Sequence, residues 1–168
     1  MKKIKFLVLT IIAISINSCG VYNFTGTGKI DAKTFQVNRF QNNAVLIEPN
    51  VDRIFTNKLQ ERIQNQTNLS LTNSSGDLVY EGEITEYRVE PTSANAGGIS
   101  SSQNRLVMVI NVRFINKKKE TDNFEKKFTH FADFAGDKQL TGAVLNTALE
   151  EIYTRITQDI FNDSLAKW

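Results

Sequence analysis

The sequence predicts an α+β domain, a two-layer sandwich in which a mainly antiparallel sheet carries two helices packed on one face. Stretches near 33–40, 78–89 and 124–134 alternate apolar and polar side chains, and 106–114 joins an apolar run to such alternation; all four read as strands. Stretches near 51–66 and 141–164 space their apolar residues three and four apart and read as helices. The order of strand, helix, run of strands, helix gives one sheet whose apolar face both helices can cover.

Lys33 to Phe40 places Phe35 and Val37 on one side of a half-buried strand, with Thr34, Gln36 and Asn38 on the other. After Pro49 the period changes, and Val51, Ile54, Phe55, Leu59 and Ile63 form a helical stripe, with Asn50 as its expected N-cap. A short Leu69–Thr72 segment then enters Asn73-Ser74-Ser75-Gly76, a turn signal. Leu78, Tyr80 and Ile84 share a strand face, whereas Tyr87 and Val89 have the opposite parity. That slip predicts a bulge or sharp twist near Gly82 to Glu86. Pro91 to Asn104 is rich in Ser, Asn and Gly and is expected to be a long mobile connection. Leu106 to Ile110 is apolar at both parities and reads as the central strand. A lysine-rich turn at Asn116 to Asn123 leads to a strand with Phe124, Phe128, Ala132 and Phe134 on one face. The closing helix buries Leu145, Leu149, Ile152, Ile156 and Ile160 and carries a Glu151, Arg155, Asp159 charge ladder outside. The sheet's other face is expected to stay polar and free for a partner.

The chain begins with Lys2, Lys3 and Lys5, followed by the apolar run Phe6 to Ile16. Such a run has the length of an export-signal core, whereas a spanning helix needs roughly twenty apolar residues. Ile16-Asn17-Ser18-Cys19-Gly20 resembles a bacterial lipobox, which implies cleavage between Ser18 and Cys19 and acylation of Cys19. Cys19 is also the single cysteine. The expected organisation is a signal peptide at 1–18, a lipidated tether at 19–30 and one domain at 31–168. Lipoprotein sorting rules, by resemblance, favour the periplasmic face of the outer membrane, because Gly20 follows the cysteine and Val21 to Phe24 contain no acid. Of 20 basic residues three leave with the signal, so 17 remain against 18 acidic ones. A near-neutral domain gives no support for nucleic-acid binding.

No catalytic or metal-binding pattern stands out. Glu81 and Glu83 share a strand face without a cleft to bracket a substrate, and read as a solvated pair. His130 is the single histidine; Asp133 has the opposite parity and cannot orient it, so a core or edge role is expected. The sequence therefore predicts no enzyme, no cofactor and no metal. Lys117, Lys118 and Lys119, with Lys126 and Lys127 across the turn, form the one dense basic feature. Two readings stand open for it: a solvated hairpin tip that blunts a sheet edge, or a contact for a phosphorylated glycolipid, joined by Arg105 and Arg113.

Cys19-Gly20-Val21-Tyr22-Asn23-Phe24-Thr25-Gly26, Gly76-Asp77-Leu78 through Gly82-Glu83-Ile84 to Tyr87, Val89 and Pro91, and Asn111-Val112-Arg113-Phe114 with Asn116-Lys117-Lys118 carry a resemblance. Together with the lipobox they resemble the LptE family of lipopolysaccharide-assembly lipoproteins. The resemblance implies an outer-membrane lipoprotein that pairs with the β-barrel LptD, sits in its lumen as a plug, supports its assembly and helps place lipopolysaccharide in the outer leaflet. The competing expectation is an envelope-binding periplasmic lipoprotein with no transport role.

Overall fold

Leu106–Ile110, apolar at both parities, lies in the middle of the sheet. The computed structural model describes residues 30–45, 48–96 and 99–166. Its strands are β1 (Thr34–Val37), β2 (Gln41–Asn42), β3 (Ser70–Leu71), β4 (Leu78–Ala96), β5 (Ile99–Asn116) and β6 (Phe124–Ala135). The helices are α1 (Val51–Gln66) and α2 (Gly142–Leu165), with a 3-10 turn at Glu120–Asp122. The sheet runs β3-β1-β4-β5-β6, and β2 pairs with β4 beside β1.

The sheet is mainly antiparallel, as expected, but not strictly so. β4, β5 and β6 form an antiparallel meander, but β1 is parallel to both β3 and β4, and β2 is parallel to β4. The cause is α1, which carries the chain back to the end where β1 began, so that β3 and then β4 run in the same direction as β1. The predicted strand at Lys33–Phe40 is shorter in the structure, where β1 ends at Val37 and the two-residue β2 begins just past Phe40.

The slip near Gly82–Glu86 is a bulge between Ile84 and Glu86. It inserts one residue and returns Tyr87 to the helix-covered side, where it is buried beside Ile84. Gly82 is required by a close approach: a Cβ there would meet the Asn111 carbonyl oxygen at 2.0 Å and the Phe40 ring at 2.8 Å.

The expectation of a mobile connection at Pro91–Asn104 is overturned. Pairing continues from Val89↔Leu106 through Pro91↔Asn104 and Thr92↔Gln103 to Ala96↔Ile99. A ribbon hydrogen-bonded to itself needs no apolar side chains, so a polar composition does not signal a lack of pairing. Pro91 is tolerated because, past β2, no strand flanks that side of β4.

Both helices cover one face, as the sequence predicts. α1 contributes Val51, Phe55, Leu59 and Ile63 to the core, and α2 contributes Leu145, Leu149, Ile152, Tyr153, Ile156 and Ile160. They meet Tyr80, Ile84, Leu106, Met108, Ile110, Val112 and Phe114 of the sheet. Lys58 reaches Glu150 and Arg62 reaches Gln158, so the two helices advance side by side in the same direction. Asn50 enters α1 at φ 65° and makes no side-chain cap. Asparagine suits that corner because it tolerates the left-handed region, rather than because it caps.

Candidate functional site

The basic residues singled out from the sequence do not converge on one point. β-strand alternation puts Arg105, Arg113 and Lys127 on the sheet face away from the helices, and Lys126 on the helix side. Arg113 and Arg105 do face the same way, but eight residues of strand separate them, about 26 Å. Each is held by a carboxylate. Arg113 Nε lies 3.0 Å from Glu81 Oε1, and Arg105 makes a two-pronged contact to Asp133 at 2.7 and 2.9 Å. The hydrogen bonds from Arg105 hold the Asp133 carboxyl below its usual range.

At the hairpin tip Lys118 pairs with Asp77 at 3.0 Å and Lys119 with Asp122 at 3.1 Å. Lys126 pairs with Asp163 of α2 at 2.6 Å. Lys117 is exposed and gives its backbone N–H to Asp77 O at 2.9 Å. The same end of the domain also carries Asp31, Glu120 and Glu125, so the tip mixes both signs of charge.

Asp77 organises that end. Its carboxylate accepts the backbone N–H of Lys33 at 2.9 Å and of Thr34 at 3.2 Å, besides the Lys118 ammonium. Its own N–H goes to Thr34 Oγ1 at 3.0 Å. One side chain thus ties the start of β1, the start of β4 and the β5–β6 turn. These bonds, the Lys33 N–H foremost, bring its pKa down to about 2. Because the folded value lies below the unfolded one, the contribution is complete above the ordinary aspartate range and disappears as pH falls through about 2. Asp77→Asn is therefore expected to lower the urea midpoint at pH 6, with the difference from wild type closing as pH drops from about 4 toward 2. A difference independent of pH over that range would refute the assignment.

Beside this knot lies a pocket of about 450 Å³ floored by Ile30, Ala32, Leu78 and Leu165 and rimmed by Lys118, Lys119 and Asp122. It sits where the described chain begins and where α2 ends.

His130 lies on the helix side with Phe128 and Ala132, and its Nε2 is 2.6 Å from Asp159 Oδ2 of α2. The sequence reading missed this partner. It placed Asp159 in an outer ladder, whereas the ladder consists of Glu151 and Arg155 at 3.0 Å and Asp159 turns to the sheet. Nothing in the spacing announces this contact, because four residues advance about 6 Å along a helix and about 13 Å along a strand. Glu81 and Glu83 are engaged by Arg113 and by Asn43 at 2.9 Å, as a solvated, paired face requires.

The face opposite the helices is closed over by its own long side chains. Val107 and Val109 are 5% and 7% exposed without a covering layer. Phe131 lies across from Val107, 45% exposed, with the Arg105 guanidinium 3.7 Å above its ring. Arg88 joins Glu86 and Glu90 on the same face. Among the described residues no group of His, Cys, Asp and Glu is arranged to hold a metal ion, and no helix is long and apolar enough to cross a membrane. Ser18, Cys19 and the tether up to residue 29 lie outside the described residues.

The family model described as LptE, lipopolysaccharide-assembly, matches residues 32–164. The chain belongs to the LptE family. The match spans both helices except the last residue of α2, and every strand of the sheet. Among solved structures, PelC from Paraburkholderia phytofirmans, a dodecamer, is similar at 9% identity and TM-score 0.50, covering 83% of this chain and 95% of that one. The hypothetical protein CT253 from Chlamydia trachomatis is similar at 10% identity and TM-score 0.50, over 81% of this chain and 99% of that one. At such identity these likenesses concern the fold alone. No curated protein matches the sequence. Membership makes this chain a lipopolysaccharide-assembly protein of the cell envelope, a family without catalytic function.

Proposed function

We propose that the protein is a lipid-anchored subunit on the periplasmic side of the outer membrane, seated in the lumen of an LptD-type β-barrel as plug and assembly partner. In this reading signal cleavage falls between Ser18 and Cys19, and Cys19 carries the lipid. The barrel delivers lipopolysaccharide to the outer leaflet while this chain keeps the lumen ordered. The family match over 32–164 carries the proposal. The sheet face lined by paired charges supports it, since a barrel interior is polar and a plug must meet it without burying unpaired ions. Lys117, Lys118, Lys119, Lys126, Lys127, Arg105 and Arg113 are proposed as points of lipopolysaccharide phosphate contact. The structure distributes them over the tip and both faces, so they would act separately rather than as one anion site.

The test is to extract the tagged protein from its own membranes in detergent and identify what survives stringent washing. Near-equal recovery of a large outer-membrane barrel is the expected result. Recovery of the lipidated chain alone would overturn the partnership in favour of a free-standing envelope-binding lipoprotein.

A further inference from the structure

The sheet ends on β6, and half of that edge is undefended. Gly136 N donates to Ser102 O at 3.1 Å, and the β5–β6 register is unbroken from Gln103↔Ala135 to Phe114↔Phe124. Even-numbered residues of β6 therefore direct their backbone groups to β5, and odd-numbered ones direct theirs outward. Among the described residues nothing hydrogen-bonds to the backbone groups of Thr129, Phe131 and Asp133; Ala135 O alone is taken, by Lys138 N at 3.0 Å. The first half of the edge carries Glu125, Lys126 and Lys127, the usual protection against strand addition. The second half, Phe128 to Ala135, has no proline, glycine or lysine, and its one acid, Asp133, is neutralised by Arg105.

Beside that second half a cleft opens. α2 is fastened to β6 by Lys126–Asp163 and His130–Asp159. Beyond them its first turns leave a space of about 310 Å³, lined by Ala132, Phe134 and Ala135 on one wall and by Ala143, Val144, Thr147 and Ala148 on the other. Lys138 and Glu151 stand at its rim. Glu151 is engaged by Arg155 at 3.0 Å, whereas Lys138 has only a 3.9 Å approach to exposed Asp137.

We propose that the Thr129–Ala135 edge and this cleft form a docking site for an extended segment of a partner polypeptide, which adds to the sheet as a further strand. The outward donors and acceptors of Thr129, Phe131 and Asp133 take its backbone, and the cleft takes one aliphatic side chain. Lys138 recognises a carboxylate next to it, and the exposed Phe131 ring packs on a side chain of the other face. Strand edge supplies affinity and pocket supplies choice of sequence, the division of labour of strand addition in general. The inference stands independently of lipid carriage and of the barrel.

The test uses the detergent-purified full protein and a fluorescent peptide alternating threonine with leucine and ending in glutamate, read by anisotropy and by amide hydrogen exchange. Saturable binding is expected, with slowed exchange at Thr129, Phe131 and Asp133, and no binding by the same peptide N-methylated at every residue. Thr129→Pro removes an outward donor without costing a ladder bond, and Ala143→Phe fills the mouth of the cleft from an exposed position. Each is expected to weaken binding about tenfold. Unchanged affinity in both variants, indifference to N-methylation or no binding at all would overturn the proposal. So would protection of these amides that grows with protein concentration without peptide, which would assign the edge to a second copy of the chain.

Discussion

On the proposed function, Cys19→Ser is expected to leave only the barrel as attachment, so that protein made in excess of its barrel partner moves from the membrane fraction to the soluble periplasmic fraction. Each buried methylene of an acyl chain contributes about 0.8 kcal/mol to membrane binding, so a lipid on Cys19, as proposed, would anchor a domain whose described structure offers no anchor of its own. No described helix is suited to crossing a bilayer, and several of the domain's cations are paired within it. Serine cannot form the thioether, so the variant carries no lipid at this position. The measurement is fractionation followed by the intact mass of the product. An unacylated mass in excess chain that stays in the membrane pellet after an alkaline carbonate wash would remove Cys19 from the anchoring role.

The helices were legible because their cores repeat: Phe55, Leu59 and Ile63, or Ile152, Ile156 and Ile160, lie on one face at any register a helix can adopt. The bulge was legible for a related reason, since one inserted residue must exchange faces and Tyr87 announces it. Pairing partners were less legible. Alternation in 33–40 marks a strand without stating its direction, and the parallel placement of β1 follows only once α1 is seen to return the chain to its starting end. The ribbon at 91–104 differs from its expectation because composition reports on side chains, whereas here the backbone pairs with itself. The basic residues were misgrouped for a geometric reason. Lys126 and Lys127 are adjacent in sequence and opposite in space, and sequence density says nothing of the carboxylates from elsewhere that hold each cation. Asp77 shows the converse: as one residue of a turn it looks unremarkable, and its importance lies in the N–H groups of residues more than forty positions away.

Phe55→Ala is expected to cost about 4 kcal/mol, a large share of the roughly 5–15 kcal/mol available to an ordinary domain. Phe55 is fully buried and joins three parts of the molecule. Its ring meets Phe40 edge-on at 5.0 Å, at the corner between β1 and β2, and meets Tyr153 of α2 at 5.5 Å. The Tyr153 hydroxyl in turn donates to Val51 O at 3.0 Å, fixing the first turn of α1. Truncation removes the transfer energy of the ring and leaves a space that β1, α1 and α2 cannot all close upon, because each is held by other contacts. The urea midpoint should fall with the slope of the transition unchanged. Phe131→Ala supplies the comparison. That ring is 45% exposed under Arg105 on the uncovered face, and its loss should cost about 1 kcal/mol or less. Equal losses in the two variants would mean that the face opposite the helices is as much a core as the helical layer. That result would remove the distinction between a packed side and a side left for partners.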